Sequence, residues 1–154
     1  MRELHSQGYR TQSFETWKHA RDYGTPIAGR ALHIVFDEPS NALISIAQPV
    51  LARLGFTATC ILTVDPLRGS LILPTGNGQS GLLKWRELRG LQAAGMKFGV
   101  RIHDDMWCHE RSMLDLARLI TQARAIASGE VAEAISLLRV PGSLIWNQIG
   151  RAHV

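Results

Sequence analysis

Cysteine, long apolar runs and clustered charge are all scarce in this sequence, and each shortage removes a class of protein. The two cysteines, Cys60 and Cys108, lie far apart with no CxxC spacing. That excludes a zinc ribbon and a disulfide scaffold, and it fits a reducing compartment without requiring one. No stretch approaches the roughly 18 consecutive apolar residues of a membrane-spanning helix. Met1-Arg2-Glu3-Leu4-His5-Ser6 is too polar for a secretory signal, so any export signal would have to lie outside this chain. Lys and Arg are scattered and the formal charge is only +4, so no nucleic-acid-binding face is expected. Neither repeats nor low-complexity tracts occur.

What is present describes one globular domain. With 154 residues, 45% hydrophobic and 19% charged, the chain can bury a real core. Residues 1–8 and 13–22 read as short helices around a brief strand at Gly8-Tyr9-Arg10-Thr11, and 24–29 as a turn-rich link. Ala31 to Phe36 is nearly all apolar and predicts a strand buried on both faces. Ser40 or Asn41 can cap a helix running to about Leu54, kinked at Pro49 and stopped by Gly55. Phe56 to Val64 predicts the next strand, and 65–81 a long loop. Leu83 to Ala94 predicts a helix closed by Gly95, followed by a strand over Met96 to Ile102. Ser112 caps a helix from Met113 to about Ala127, and Ala134 to Val140 predicts a fourth main strand. Strands and helices alternate at βα spacing, so the fold class is α/β with a parallel sheet or barrel.

In parallel α/β folds, chemistry sits at the C-terminal ends of strands. Asp37 and Glu38 occupy that position after the first main strand. Alone, adjacent carboxylates there are as well explained by capping of the following helix and interaction with its dipole.

Four segments in order add a resemblance. Val35-Phe36-Asp37-Glu38-Pro39 is similar to the Thr-Phe-Asp-Asp-Gly-Pro strand end of the polysaccharide deacetylase family, which includes the nodulation-type chitooligosaccharide deacetylases. Gly55-Phe56-Thr57-Ala58-Thr59-Cys60-Ile61 resembles its Gly-x-x-Ala-Thr-Phe-Phe strand. Trp85-Arg86-Glu87-Leu88-Arg89-Gly90-Leu91 through Gly95, continuing to Gly99, resembles its Trp-x-x-Leu-Arg helix–strand unit. Gly8 to Trp17 resembles its lead-in. The resemblance spans about residues 4 to 127. It implies a partial (β/α) barrel of the polysaccharide deacetylase type, holding roughly the first four or five βα units.

The same resemblance implies metal-assisted hydrolysis of N-acetyl groups on carbohydrate, with a divalent metal, zinc or cobalt, polarising the carbonyl. Asp37 matches the general base. Glu38 matches the metal-binding Asp with one extra methylene, which moves the ligand atom by roughly an ångström. Laying Gly99 on the family's Gly places Arg101 at the first His of the His-x-x-x-His motif and Asp105 at the second. Arg101 would repel a cation, so Glu38, Asp105 and Arg101 also read as a salt-bridge cluster. His103, two residues from Arg101 on the same strand face, is the substitute imidazole, and His109 would need the loop to fold back. Cys108 beside His109 is a poorer nucleophile pair, because sequence neighbours rarely meet at their reactive atoms.

Arg139-Val140-Pro141-Gly142-Ser143 resembles the start of the family's third motif without its Tyr. The last six residues, Ile149 to Val154, match one reading frame of a sequencing-library adapter. The domain is therefore expected to be partial over 1–148, with 149–154 a non-native tail. Three function classes follow. One is a carbohydrate deacetylase domain, inactive in this chain. Another is a non-catalytic carbohydrate-binding relative, with Trp107 as the sugar-stacking residue in the site loop and Trp85 and Trp146 as further candidates. For Trp85, helix packing is the simpler role. The last is a small flavodoxin-like regulatory domain, which fits the alternation but not the ordered motifs.

Overall fold

The computed structural model describes residues 1–67, 69–72, 83, 85–102, 112–131 and 137–139. A short helix α1 (Arg2–Ser6) leads into β1 (Tyr9–Thr11) and α2 (Phe14–Tyr23). Ser13 caps α2, its Oγ accepting from the Thr16 amide at 3.1 Å, and Gly24 ends it in the left-handed conformation. β1 pairs in parallel with β2 (Arg30–Leu32), placing Tyr9 opposite Arg30 and Thr11 opposite Leu32.

The main sheet has the order β3-β4-β6-β7, all parallel: β3 (Val35–Phe36), β4 (Thr59–Asp65), β6 (Lys97–Ile102) and β7 (Leu137–Arg139). An added strand, β5 (Ser70–Ile72), pairs antiparallel with the end of β4 through Thr63, Val64 and Asp65. Between the parallel strands run α3 (Gln48–Leu54), α4 (Trp85–Ala93) and α5 (Met113–Val131). This is the α/β alternation expected from the sequence, and β5 is the strand that the predicted 65–81 loop concealed.

The apolar run from Ala31 to Phe36 is not one strand buried on both faces. It divides at His33 and Ile34, sending β2 to the small sheet and β3 to the main one. The division has a physical cause. The Thr59 amide donates to the Ile34 carbonyl, and the His33 ring pairs with the Thr59 hydroxyl at 2.8 Å, so the chain changes partner there. Val35 ends up 43% exposed.

The predicted helix over 41–54 also departs from regularity. Leu43–Ala47 is a π-helical turn that passes into α3, with Pro49 in the first turn of α3. Proline has no N–H to give the preceding turn, which suits the change of winding just before it. Gly55 closes α3 at φ 61°, where a side chain would be strained.

All seven residues of β4 are buried. Their alternation sorts them into two faces. Cys60, Leu62 and Val64 join Phe98, Val100 and Ile102 of β6 in the hydrophobic core. On α5, Leu119, Ala123, Ala127 and Val131 recur at every fourth residue and form one buried stripe in that core. The small Ala side chains at its centre allow the helix close to the sheet. The opposite faces of the same strands carry Thr59, Thr63 and Asp65 on β4, and Arg101 on β6. Among the described helices, none is long and apolar enough to cross a membrane.

Candidate functional site at the strand ends

Asp37 and Glu38 form an exposed bend directly after β3. Register carries the site across the sheet: Phe36 lies opposite Cys60, and Thr63 lies opposite Arg101. Three neighbouring strands therefore deliver polar groups to one end of the sheet, as a parallel fold favours.

Arg101 links them. Its Nη2 donates to Thr63 Oγ1 at 3.0 Å and reaches Glu38 Oε1 at 3.5 Å. The Arg101 side chain is 19% exposed and that of Glu38 is 52% exposed. The guanidinium thus spans from β6 over β4 to the bend after β3. Its Nε is buried, with no hydrogen-bond partner among the described residues. Among the described residues its one contact with a carboxylate is long and half open to solvent.

Asp65 ends β4 as a buried acid, with Oδ1 accepting from the Leu67 amide at 3.0 Å. Cys60, near the start of β4, lies opposite Phe36 at the end of β3. Burial pushes its thiol up to about 12, and the charge of Asp37 adds to that effect. The thiol therefore stays protonated and un-nucleophilic. At the same start of β4, burial holds the His33 imidazole below its usual range, partly opposed by the carboxylate of Glu15.

Of the site residues expected from sequence, the structure brings Glu38 and Arg101 together and sets Asp37 beside them. The expected salt-bridge cluster is present in its Glu38–Arg101 part. His103, Asp105, Trp107, Cys108, His109 and Trp146 lie outside the described residues, as does the 149–154 segment. Trp85 opens α4. Sequence reading missed Thr63 and Asp65, because a Thr–Val run ending in Asp reads simply as a strand. The signal available was the alternation, which places both residues on the face of Arg101.

No group of three His, Cys, Asp or Glu side chains among the described residues could hold a divalent cation. The acid that the resemblance would offer, Glu38, faces the guanidinium of Arg101, a fixed positive charge. A separate open groove of about 510 Å³ runs between α2 and residues 25–28, lined in part by Glu15, Thr16, His19 and Ile27. None of the strand-end residues lines it.

The parallel main sheet with its intervening helices is the deacetylase-type (β/α) fold, present here in part. No protein-family model and no curated protein matches the chain. Solved structures do. Deacetylase PplD of Streptococcus pyogenes, in complex with acetate, superposes on 98% of this chain with a TM-score of 0.73 at 16% identity. IcaB from Ammonifex degensii also covers 98% of it, with a TM-score of 0.62 at 16% identity. The BpsB deacetylase domain from Bordetella bronchiseptica covers 89%, with a TM-score of 0.62 at 11% identity. The chain spans 65% of the PplD and BpsB chains and 71% of IcaB.

Proposed function

We propose that this chain is a deacetylase-like domain that engages N-acetylated carbohydrate but does not hydrolyse it. The observation that carries this reading is the Glu38–Arg101 contact at 3.5 Å, at the strand ends of a deacetylase-type fold. Amide hydrolysis at such a site needs a base for water and an electrophile for the carbonyl. In this reading Asp37, directly after β3, is the base. A guanidinium can hydrogen-bond a carbonyl oxygen, but it does not bind water and lower its pKa as a divalent metal does. Substrate recognition is retained in this reading, and the activated nucleophile is lost.

The test is acetate release from N-acetylglucosamine oligomers with zinc or cobalt added. The expected result is no release above the protein-free blank. Turnover that Asp37→Asn abolishes would show an active hydrolase and overturn the reading.

A further inference from the structure

The N-terminal part of the chain is attached to the rest more than it is packed into it. None of the described residues 1–32 is buried, although α2 carries Phe14, Trp17 and Tyr23. The buried core cluster starts at Leu43, with Ile34 and Phe36 against it. Side-chain contacts join the N-terminal unit to the main sheet along a short seam, Phe56 to Thr59, which leads into β4. The His5 ring lies against that of Phe56, with centroids 5.7 Å apart. Thr11 Oγ1 accepts from the Thr57 amide at 2.7 Å and from the Thr57 hydroxyl at 3.2 Å. His33 Nε2 pairs with Thr59 Oγ1 at 2.8 Å, next to the bond from the Thr59 amide to the Ile34 carbonyl. This last pair stands at the two-residue junction between β2 and β3, and its Thr59 partner is buried.

We propose that residues 1–32 form a hinged flap, latched to the main sheet by the His33–Thr59 pair and released when the His33 imidazole is protonated. The latch does not depend on the carbohydrate reading above. A neutral imidazole has one donor and one acceptor, so it can share a single hydrogen with the Thr59 hydroxyl. The imidazolium has donors on both nitrogens and a charge. That charge is disfavoured at a half-buried ring, and moving the ring into water removes the cost. Among the described residues, the charged group that bears on the ring is the Glu15 carboxylate of α2. From β4 the ring meets the Thr59 hydroxyl, and from the start of α2 the Phe14 ring, 6.3 Å away between centroids. Burial outweighs Glu15, so the docked imidazole titrates below its usual value of 6.5. A freed ring takes the usual value and binds more protons. Docking is therefore complete above pH 6.5, weakens as pH falls below it, and levels off past the docked pKa.

The experiment is hydrogen exchange of the full chain at pH 7.5 and 5.5, corrected for the intrinsic exchange rate. It compares the amides of β1 and β2 with those of β4 and β6. Protection of β1 and β2 should fall severalfold at the lower pH while that of β4 and β6 holds. The ceiling is about tenfold, the gain of a group of ordinary imidazole pKa read one unit below it. His33→Asn keeps a polar group for Thr59 but cannot take up the proton, so its protection should be the same at both pH values. Thr59→Val is the second variant if His33→Asn does not fold. It removes the latch from the other side, and protection of β1 and β2 should be severalfold lower already at pH 7.5.

Equal loss in both pairs of strands is a general loosening and overturns the flap. So does unchanged protection in the wild type, a fall that persists in His33→Asn, or wild-type protection at pH 7.5 in Thr59→Val.

Discussion

The two faces of the central strands are built from the same residues in alternation, yet they differ in kind. One face of β4 and β6 is hydrocarbon and a thiol, closed by the Leu119–Ala123–Ala127–Val131 stripe of α5. The other carries Thr59, Thr63, Asp65 and Arg101, held by hydrogen bonds that reach to His33 and Glu38. The difference teaches where the tolerance of this fold lies. The apolar face supplies stability through area and close packing. The polar face supplies position, through a few directional bonds and, among the described residues, one long ion pair. Damage to the first should unfold the chain, whereas damage to the second should mainly move the site.

The comparison is broken or sharpened first by Leu62→Ala. Leu62 is fully buried in the core, so this truncation should cost about 2–5 kcal/mol in urea unfolding. A loss below about 1 kcal/mol would mean that the helix-covered face is not the stabilising one. Thr63→Val comes next. It keeps the shape but removes the acceptor of the Arg101 bond, leaving a half-buried cation with one partner fewer. About 1–3 kcal/mol should be lost. No change in stability would show that the clasp across the strands is not formed in solution.

His33 gives a smaller and pH-dependent effect. Its folded pKa lies below 6.5 because burial disfavours the imidazolium, so the unfolded chain binds more protons there. Stability should therefore be complete above the unfolded value of 6.5. It should decline as pH falls below that value, and level off once pH passes the lower folded pKa. Urea midpoints measured between pH 7.5 and 5.5 should fall in the wild type and flatten in His33→Asn. An equal fall in both would assign the effect to other groups.

Arg101→Met should move stability least, by less than about 1 kcal/mol. It removes the unsatisfied Nε together with the charge and keeps much of the aliphatic volume. A cost larger than that of Thr63→Val would invert the ranking and make the ion pair a structural element in its own right.

The same two faces explain what was legible in the sequence. Elements set by local chemistry were readable: the α2 helix, the Gly55 and Gly95 stops, and the α4–β6 unit. The break between β2 and β3 was not. Its cause is Thr59, far along the chain, and Ala31 to Phe36, five apolar residues and His33, contain no Gly or Pro to mark it. Pro49 marked an irregular helix without showing that the irregularity is a π-helical turn before it. At the site, Asp37 and Glu38 could be found because a strand end after an apolar run is a topological address. Arg101 followed from counting on from Gly99. Thr63 and Asp65 stayed hidden, because burial of a polar strand face depends on the partner strand and not on composition.

The break between β2 and β3 has a mechanical consequence. From Arg30 to Phe36 the chain passes from one sheet to the other with only His33 and Ile34 between the strands. Such a junction is short, since an extended residue spans at most about 3.3–3.6 Å. A tilt of the small sheet would therefore have only two linking residues in which to be absorbed before Val35–Phe36 and the bend at Asp37 and Glu38. Load or crowding at the N-terminal sheet would be felt at the carboxylates as displacement, like the far end of a lever pivoting on the His33–Thr59 pair.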